Sequence, residues 1–157
     1  MRGKATNMKV KEIMTKKVIK IKKDATLEEA AEILAKNEIS GAPVVGKKNK
    51  LVGIISEKDL FRAFYPDFRD IITDLRLWLS REERRKRKKE KKKKISISKI
   101  MTRNLITVDI DASLIKAGSI MLVNKVSRLP VIRNGKMVGI ITRRDIFRRL
   151  LEEEMGI

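Results

Sequence analysis

Two short stretches of this sequence place a hydroxyl and a carboxylate at a spacing that could do chemistry. Thr142 is followed three residues later by Asp145, after Met137-Val138-Gly139-Ile140-Ile141; Ser56 is followed in the same way by Asp59, after Leu51-Val52-Gly53-Ile54-Ile55. In each, an apolar β-branched run suited to a buried strand meets the hydroxyl residue, and a new apolar period begins just past the aspartate. A strand therefore feeds a helix, twice. The junction has two readings. In one, hydroxyl and carboxylate form a capping box that satisfies backbone N–H groups left free at the helix start. In the other, the helix N-terminus attracts an anion, and a carboxylate beside a hydroxyl accepts from both hydroxyls of a ribose.

The residues around the two junctions repeat as well. Lys11-Glu12-Ile13-Met14-Thr15 matches Ser98-Lys99-Ile100-Met101-Thr102 at an offset of 87 residues. Val18 to Ile21 and Leu105 to Val108 read as short strands. Thr26 and Ser113 read as N-caps, because behind them Leu27, Ala30, Ala31, Ile33 and Leu34, and likewise Leu114, Ala117, Ile120 and Met121, recur at helical spacing. Strand-like runs with an early proline follow at 39–45 and 126–132. Asn134-Gly135 signals a tight hairpin, where the first copy has a turn longer by one residue, Gly46 to Lys50. Each copy is thus strand, helix, hairpin of two strands, helix. Such a unit buries too little apolar surface to stand alone, so the two are expected to support each other.

Composition narrows the chemistry. The 157 residues contain no cysteine and no histidine, which removes thiol catalysis, disulfides and the commonest general base and metal ligand. No nucleophile and base pair with evident roles can be assembled, so an enzyme is not expected. No apolar run approaches membrane-spanning length, and Met1 to Lys11 lacks the apolar core of a signal peptide; a soluble, cytoplasmic chain with no membrane partner is expected. The formal net charge is +19. That excess makes a phosphate-bearing or polyanionic partner plausible.

Between the copies lies an insertion, 65–94. Phe68, Ile71, Ile72, Leu75, Trp78 and Leu79 recur at steps of three and four, an amphipathic helix expected to serve core or interface. From Arg81 to Lys94 the chain carries eleven basic and three acidic residues, a net +8 in 14 positions. This run reads as a solvated helix extension, a tether, or a contact for a polyanion.

With these residues in view, the chain resembles the CBS domain, the module named after cystathionine beta-synthase, in its tandem-pair form. The marks are Ile-Met-Thr at each start, Ser-x-x-Pro-Val before each hairpin, and Val-Gly-Ile-Ile-Ser/Thr-x-x-Asp at each last strand. They divide the chain into repeat 1 (8–64), the insertion (65–94) and repeat 2 (95–151). The resemblance implies an α+β fold of two βαββα repeats, packed as a pseudo-twofold pair with clefts that in many members hold adenosine-containing ligands. It implies a sensor without catalytic residues, metal or required cofactor, and a homodimer of pairs through helix faces such as Ile146, Phe147, Leu150 and Leu151. Carried over residue by residue, one nucleotide site comprises Asp145, Thr142, Arg128 and Ile140 with Thr15, Ile19, Ile39 and Ser40. Its weaker pseudo-symmetric counterpart comprises Asp59, Ser56 and Ile54 with Thr102, Ile106, Val126 and Ser127. Gly41 stands where repeat 2 has Arg128, so only the first site has that guanidinium; it would either read a ligand phosphate or be a solvated surface arginine. The implied ligand is an adenine nucleotide (AMP, ADP or ATP) or an S-adenosyl compound. The alternative is a nucleic-acid-binding protein that uses 81–94 with the repeats as scaffold.

Overall fold

The structure is a computed structural model that describes residues 7–64 and 94–156. The amphipathic stretch of the insertion, and all of its basic run except Lys94, lie outside the described residues. The first repeat runs α1 (Val10–Ile13), β1 (Ile21–Lys22), α2 (Leu27–Lys36), β2 (Gly41–Val45), β3 (Leu51–Ser56) and α3 (Glu57–Phe64). The second continues with β4 (Val108–Asp109), α4 (Leu114–Asn124), β5 (Arg128–Arg133), β6 (Lys136–Thr142) and α5 (Arg143–Met155). This is the α+β order that the repeat pattern demands. No helix among the described residues is long and apolar enough to cross a membrane.

Local chemistry accounts for the elements. Thr26 Oγ1 accepts from Glu29 N at 3.2 Å while Glu29 Oε2 accepts from Thr26 N at 2.8 Å, a complete capping box; Ser113 Oγ accepts from Lys116 N at 3.2 Å. The helices bury the stripes Leu27, Ala30, Leu34 and Leu114, Ala117, Met121. Asn134 and Gly135 both adopt positive φ (50° and 73°), as a primed two-residue turn requires.

Each repeat forms a three-stranded sheet in which the first strand runs parallel to the second and the second antiparallel to the third. The first strands begin later than the sequence pattern indicates, at Ile21 instead of Val18 and at Val108 instead of Leu105. Pairing sets the limit: β1 meets β2 only at Val44 and Val45, and β4 meets β5 only at Val131 and Ile132. For the same reason Pro43 and Pro130 are tolerated inside β2 and β5. Both precede the parallel pairing, where a missing N–H removes no bond to the first strand.

The compact units do not coincide with the sequence repeats. One unit is Ile19–Leu105, here the first unit; the other, the second unit, joins Met1–Val18 to Ile106–Ile157. Each contains the start segment of the other repeat. In the second unit Val10 N donates to Ala112 O at 2.8 Å and Leu114 N to Met8 O at 3.0 Å; in the first, Ile97 N donates to Ala25 O at 2.9 Å and Leu27 N to Ile95 O at 3.0 Å. Val10 and Ile97, the matched residues of the two start segments, are fully buried in the core of the unit that receives them. Full burial of one such side chain contributes about 1.5–3 kcal/mol. At the surface, the Lys11 ammonium hydrogen-bonds Asp111 at 2.7 Å and holds its carboxyl below the ordinary carboxylate range.

The borrowed segment then bridges the last strand. Thr15 N donates to Ile140 O at 2.9 Å and Ile140 N to Thr15 O at 3.0 Å; Thr102 and Ile54 exchange the same pair at 2.9 Å each. A glycine makes each approach possible. A Cβ on Gly139 would stand 2.7 Å from Met14 Sδ and 3.0 Å from Thr15 O, and one on Gly53 would stand 2.7 Å from Met101 Sδ and 2.9 Å from Thr102 O. A methionine sulfur can swing aside, but a bridged backbone carbonyl cannot. Gly53→Ala and Gly139→Ala are therefore each expected to destabilise by about 1–3 kcal/mol, the usual cost of overpacking, in urea unfolding of the full chain. A loss under about 0.5 kcal/mol at both, the range of indifferent surface changes, would show that the start segments are not held where the structure puts them.

Candidate functional site

The two strand-to-helix junctions are built alike. At Thr142, the backbone N and Oγ1 both donate to Asp145 Oδ2, at 2.8 and 2.7 Å, and Oγ1 accepts from Asp145 N at 3.2 Å. At Ser56, the backbone N and Oγ donate to Asp59 Oδ2 at 2.9 and 2.7 Å, and Oγ accepts from Asp59 N at 3.4 Å. The capping role is thus realised in both. It draws on Oδ2 of each carboxylate, and Oδ1 takes no hydrogen bond from another described residue, so a ligand hydroxyl could be accepted without breaking the cap. The helix entry is fixed further by Arg143 N donating to Ser127 O at 2.8 Å and Glu57 N to Ser40 O at 3.0 Å.

The strand register brings further expected residues to these junctions. Arg128 opens β5 directly opposite Thr142, and Gly41 opens β2 directly opposite Ser56. Arg128 is buried at 8 % exposure and already engaged in an interaction, so it is not a solvated surface arginine. A guanidinium out of water is costly unless its donors are met. Thr15 is bridged to Ile140 two residues before Thr142, and Thr102 to Ile54 two residues before Ser56. The second unit therefore gathers five residues of the first expected set, Thr15, Arg128, Ile140, Thr142 and Asp145, while Ile19, Ile39 and Ser40 belong to the first unit. The first unit gathers Ile54, Ser56, Asp59 and Thr102 of the other set, while Ile106, Val126 and Ser127 belong to the second.

The charges in the first helical turns differ. In α5, exposed Arg143 and Arg144 follow the cap; in α3 the corresponding residues are Glu57 and Lys58. Cations in a first turn oppose the helix dipole by a few tenths of a kcal/mol to about 1 kcal/mol each, and an anion bound there would reverse that sign. Arg143 and Arg144 join Arg128 in making the second unit's junction the more cationic of the two.

One feature was not anticipated from the sequence. A groove of about 410 Å3 runs along α5 from Asp145 through Arg148 and Arg149 to Glu152, with Met8, Glu12 and Ile13 as its other wall. Arg149 is committed: Nη1 lies 2.9 Å from Glu152 Oε2, and Nε donates to Met8 Sδ at 3.2 Å. The signal was present as charged residues at i, i+3, i+4 and i+7 from Asp145. What could not be read is that the start segment of repeat 1 supplies the facing wall.

Comparison with known proteins agrees with this architecture. The CBS domain family profile matches residues 10–66 and 97–152. Protein MJ1426 of Methanocaldococcus jannaschii is 35% identical over 155 residues, spanning 92% of both chains. Among solved structures, the CBS domain pair of protein MJ0100 in complex with 5-methylthioadenosine and S-adenosyl-L-methionine superposes with a TM-score of 0.69 at 30% identity, covering 91% of this chain and 95% of that one. CBSX2 in complex with AMP superposes with a TM-score of 0.68 at 26% identity, covering 92% and 96%. Two matched segments, each containing one βαββα repeat with its start segment lodged against the other repeat's last strand, show that the chain belongs to the CBS domain family.

Proposed function

We propose that this chain is a regulatory, non-catalytic module that senses an adenine nucleotide, with the phosphate-bearing ligand held at the Thr142–Asp145 junction of the second unit. The observation that carries the reading is the coincidence, at one junction, of a carboxylate with an oxygen that takes no hydrogen bond from another described residue, a buried arginine in register with the cap, and two more arginines in the first turn of α5. The complex of CBSX2 with AMP supports a phosphate-bearing ligand, and that of the MJ0100 pair with 5-methylthioadenosine and S-adenosyl-L-methionine supports the adenosine moiety alone. Ile140 and Thr15 complete the site within the second unit; Ile19, Ile39 and Ser40 enter it on the strength of the family resemblance. The Ser56–Asp59 junction, with Ile54, Thr102, Ile106, Val126 and Ser127, is the weaker site because Gly41 and Glu57 replace Arg128 and Arg143. The module works as a homodimer and requires no cofactor beyond its ligand.

A second reading draws on the net +8 of Arg81 to Lys94. If that run grips nucleic acid, log K falls by about 0.9 for each duplex phosphate neutralised as log salt rises, whereas a ribose and adenine site responds far less.

Three measurements test these readings. AMP is expected to raise the melting temperature of the full chain, since ligand at ~100 times its dissociation constant stabilises by about 2.7 kcal/mol. Asp145→Ala should abolish the rise and Asp59→Ala mostly preserve it; equal loss in both would remove the asymmetry. In calorimetry at fixed salt, Arg128→Ala should weaken AMP roughly ten- to a hundredfold, the worth of a charged hydrogen bond of about 1.5–3 kcal/mol, and leave adenosine nearly unchanged. If AMP and adenosine weaken together, Arg128 supports the fold and reads no phosphate. Deleting 81–94 behind a flexible linker should leave AMP affinity unchanged and abolish any binding to DNA or RNA. Loss of AMP binding on that deletion would place the basic run within the site or its assembly.

A further inference from the structure

The end of the first sheet remote from the Ser56–Asp59 junction is a cluster of lysines. β2 and β3 pair from Gly41 with Ser56 at one end to Val45 with Leu51 at the other, where the turn Gly46 to Lys50 joins them. β1 runs parallel to β2, so its last residues come to the same end: Lys22 stands opposite Val45, and Lys23 N donates to Val45 O at 2.9 Å. Segments 20–24 and 46–50 together carry six lysines against one acid, Asp24, a net +5. Lys22, Lys23, Lys47, Lys48 and Lys50 are exposed, and none of the six ammonium groups meets an acceptor or a carboxylate among the described residues.

The second copy shows that the fold does not need this charge. It builds the same parallel strand and hairpin from 107–111 and 133–136, where Asp109 and Asp111 balance Arg133 and Lys136. The turns differ in strain as well. The residues at positive φ are Asn134 and Gly135 in the second copy but Lys48 and Asn49 in the first, at 54° and 59°. Asparagine and glycine enter the left-handed region readily; a lysine does not, and the exposed Lys48 buries little that would offset the strain.

Ammonium groups gathered in this way repel one another, and a polyanion replaces that repulsion with attraction. The backbone beneath them is pinned, since Gly46 N donates to Lys50 O at 2.8 Å and Lys50 N to Lys47 O at 3.2 Å. We propose that this turn end of the first sheet is a contact for the phosphate backbone of duplex nucleic acid. The inference deepens the nucleic-acid reading of Arg81 to Lys94 by adding a folded surface to it, and rests on that reading. Lysine meets phosphate as a point charge, and phosphate contacts carry no sequence information. The two segments hold no aromatic ring on which a base of a single strand could stack, and their one large apolar side chain, Ile21, is fully buried, so none is offered to a bilayer. A duplex, with its phosphates at regular places on a stiff rod, is the polyanion that a pinned cluster of lysines fits best. Cluster and run belong to the same unit. The run's larger charge, +8 against +5, makes it the anchor whose deletion abolishes binding, while the cluster adds contacts.

Fluorescence anisotropy of the intact chain with a short labelled duplex, titrated at several salt concentrations, tests the proposal. Lys22→Gln, Lys23→Gln and Lys47→Gln together should flatten the slope of log K against log salt by about 2–3, since each phosphate contact contributes about 0.9. The triple Lys116→Gln, Lys125→Gln and Lys136→Gln removes the same charge from exposed positions of the second unit and should leave the slope nearly unchanged. Thermal unfolding checks that each variant folds; the pair Lys47→Gln and Lys50→Gln serves should the first triple not, with an expected change of about 2. A wild type that binds no duplex overturns both the nucleic-acid reading and the lysine contact. A slope that stays unchanged in the first triple, or flattens equally in both, keeps nucleic-acid binding and overturns the contact. Tighter binding to phosphatidylserine vesicles than to the duplex, lost in the first triple alone, assigns the cluster to a lipid surface and likewise overturns it.

Discussion

Both compact units depend on a backbone bridge of two hydrogen bonds made twice, Thr15 with Ile140 and Thr102 with Ile54. A repeat of this size cannot close its own core, and each β-hairpin offers a free edge on its last strand. The start segment of the other repeat takes that edge, buries Val10 or Ile97 in the core behind it, and lays a methionine over a glycine. Two family marks far apart in sequence are therefore opposite sides of one contact. The Met of Ile-Met-Thr needs the Gly of Val-Gly-Ile-Ile, but always the one in the other repeat. Neither repeat, cut at its sequence boundary, would carry both halves of that contact.

The bridge also bears on the candidate site, because it ends two residues before the capping hydroxyl. Strand, borrowed segment and helix start converge within a few residues, and the carboxylate at their meeting point has a structural duty as well as a proposed one. Capping bonds occupy one oxygen and are worth about 1 kcal/mol; ligand contacts would use the other. Removing Asp145 strips both at once: the lost cap lowers the melting temperature without ligand, and the lost contact removes the rise that ligand adds. Arg128 offers a cleaner separation because it acts from the adjoining strand and forms no part of the cap.

Much of this was legible in the sequence. The periodicity of Leu27, Ala30 and Leu34, the caps at Thr26 and Ser113, the Asn134-Gly135 turn and both capping boxes are local, and local patterns speak for themselves. The late start of β1 and β4 was hidden because it is set by the partner strand, and a run such as Val18 to Ile21 looks equally strand-like along its length. The exchange of start segments was hidden for a deeper reason. Apolar pattern says that Val10 and Ile97 are buried but not in which core, and duplication makes the two cores nearly interchangeable in composition. Arg128 showed the limit of residue type: in the sequence it was a phosphate reader or a solvated arginine, and only its place opposite Thr142 reveals a buried guanidinium.

Duplication gave two copies of one plan, and the departures from it are not scattered. Gly41 against Arg128, Glu57-Lys58 against Arg143-Arg144, and Glu28, Glu32 and Lys36 against Ile115, Ser119 and Val123 distinguish the second unit from the first in two respects: a more cationic junction and a more apolar outer helix. Both differences reach α5, since its first turn carries Asp145 with the two arginines and its later turns carry the exposed Phe147 and Leu150. An anion held at that start would bear on the exposed flank through one rigid element, with no need for a longer path.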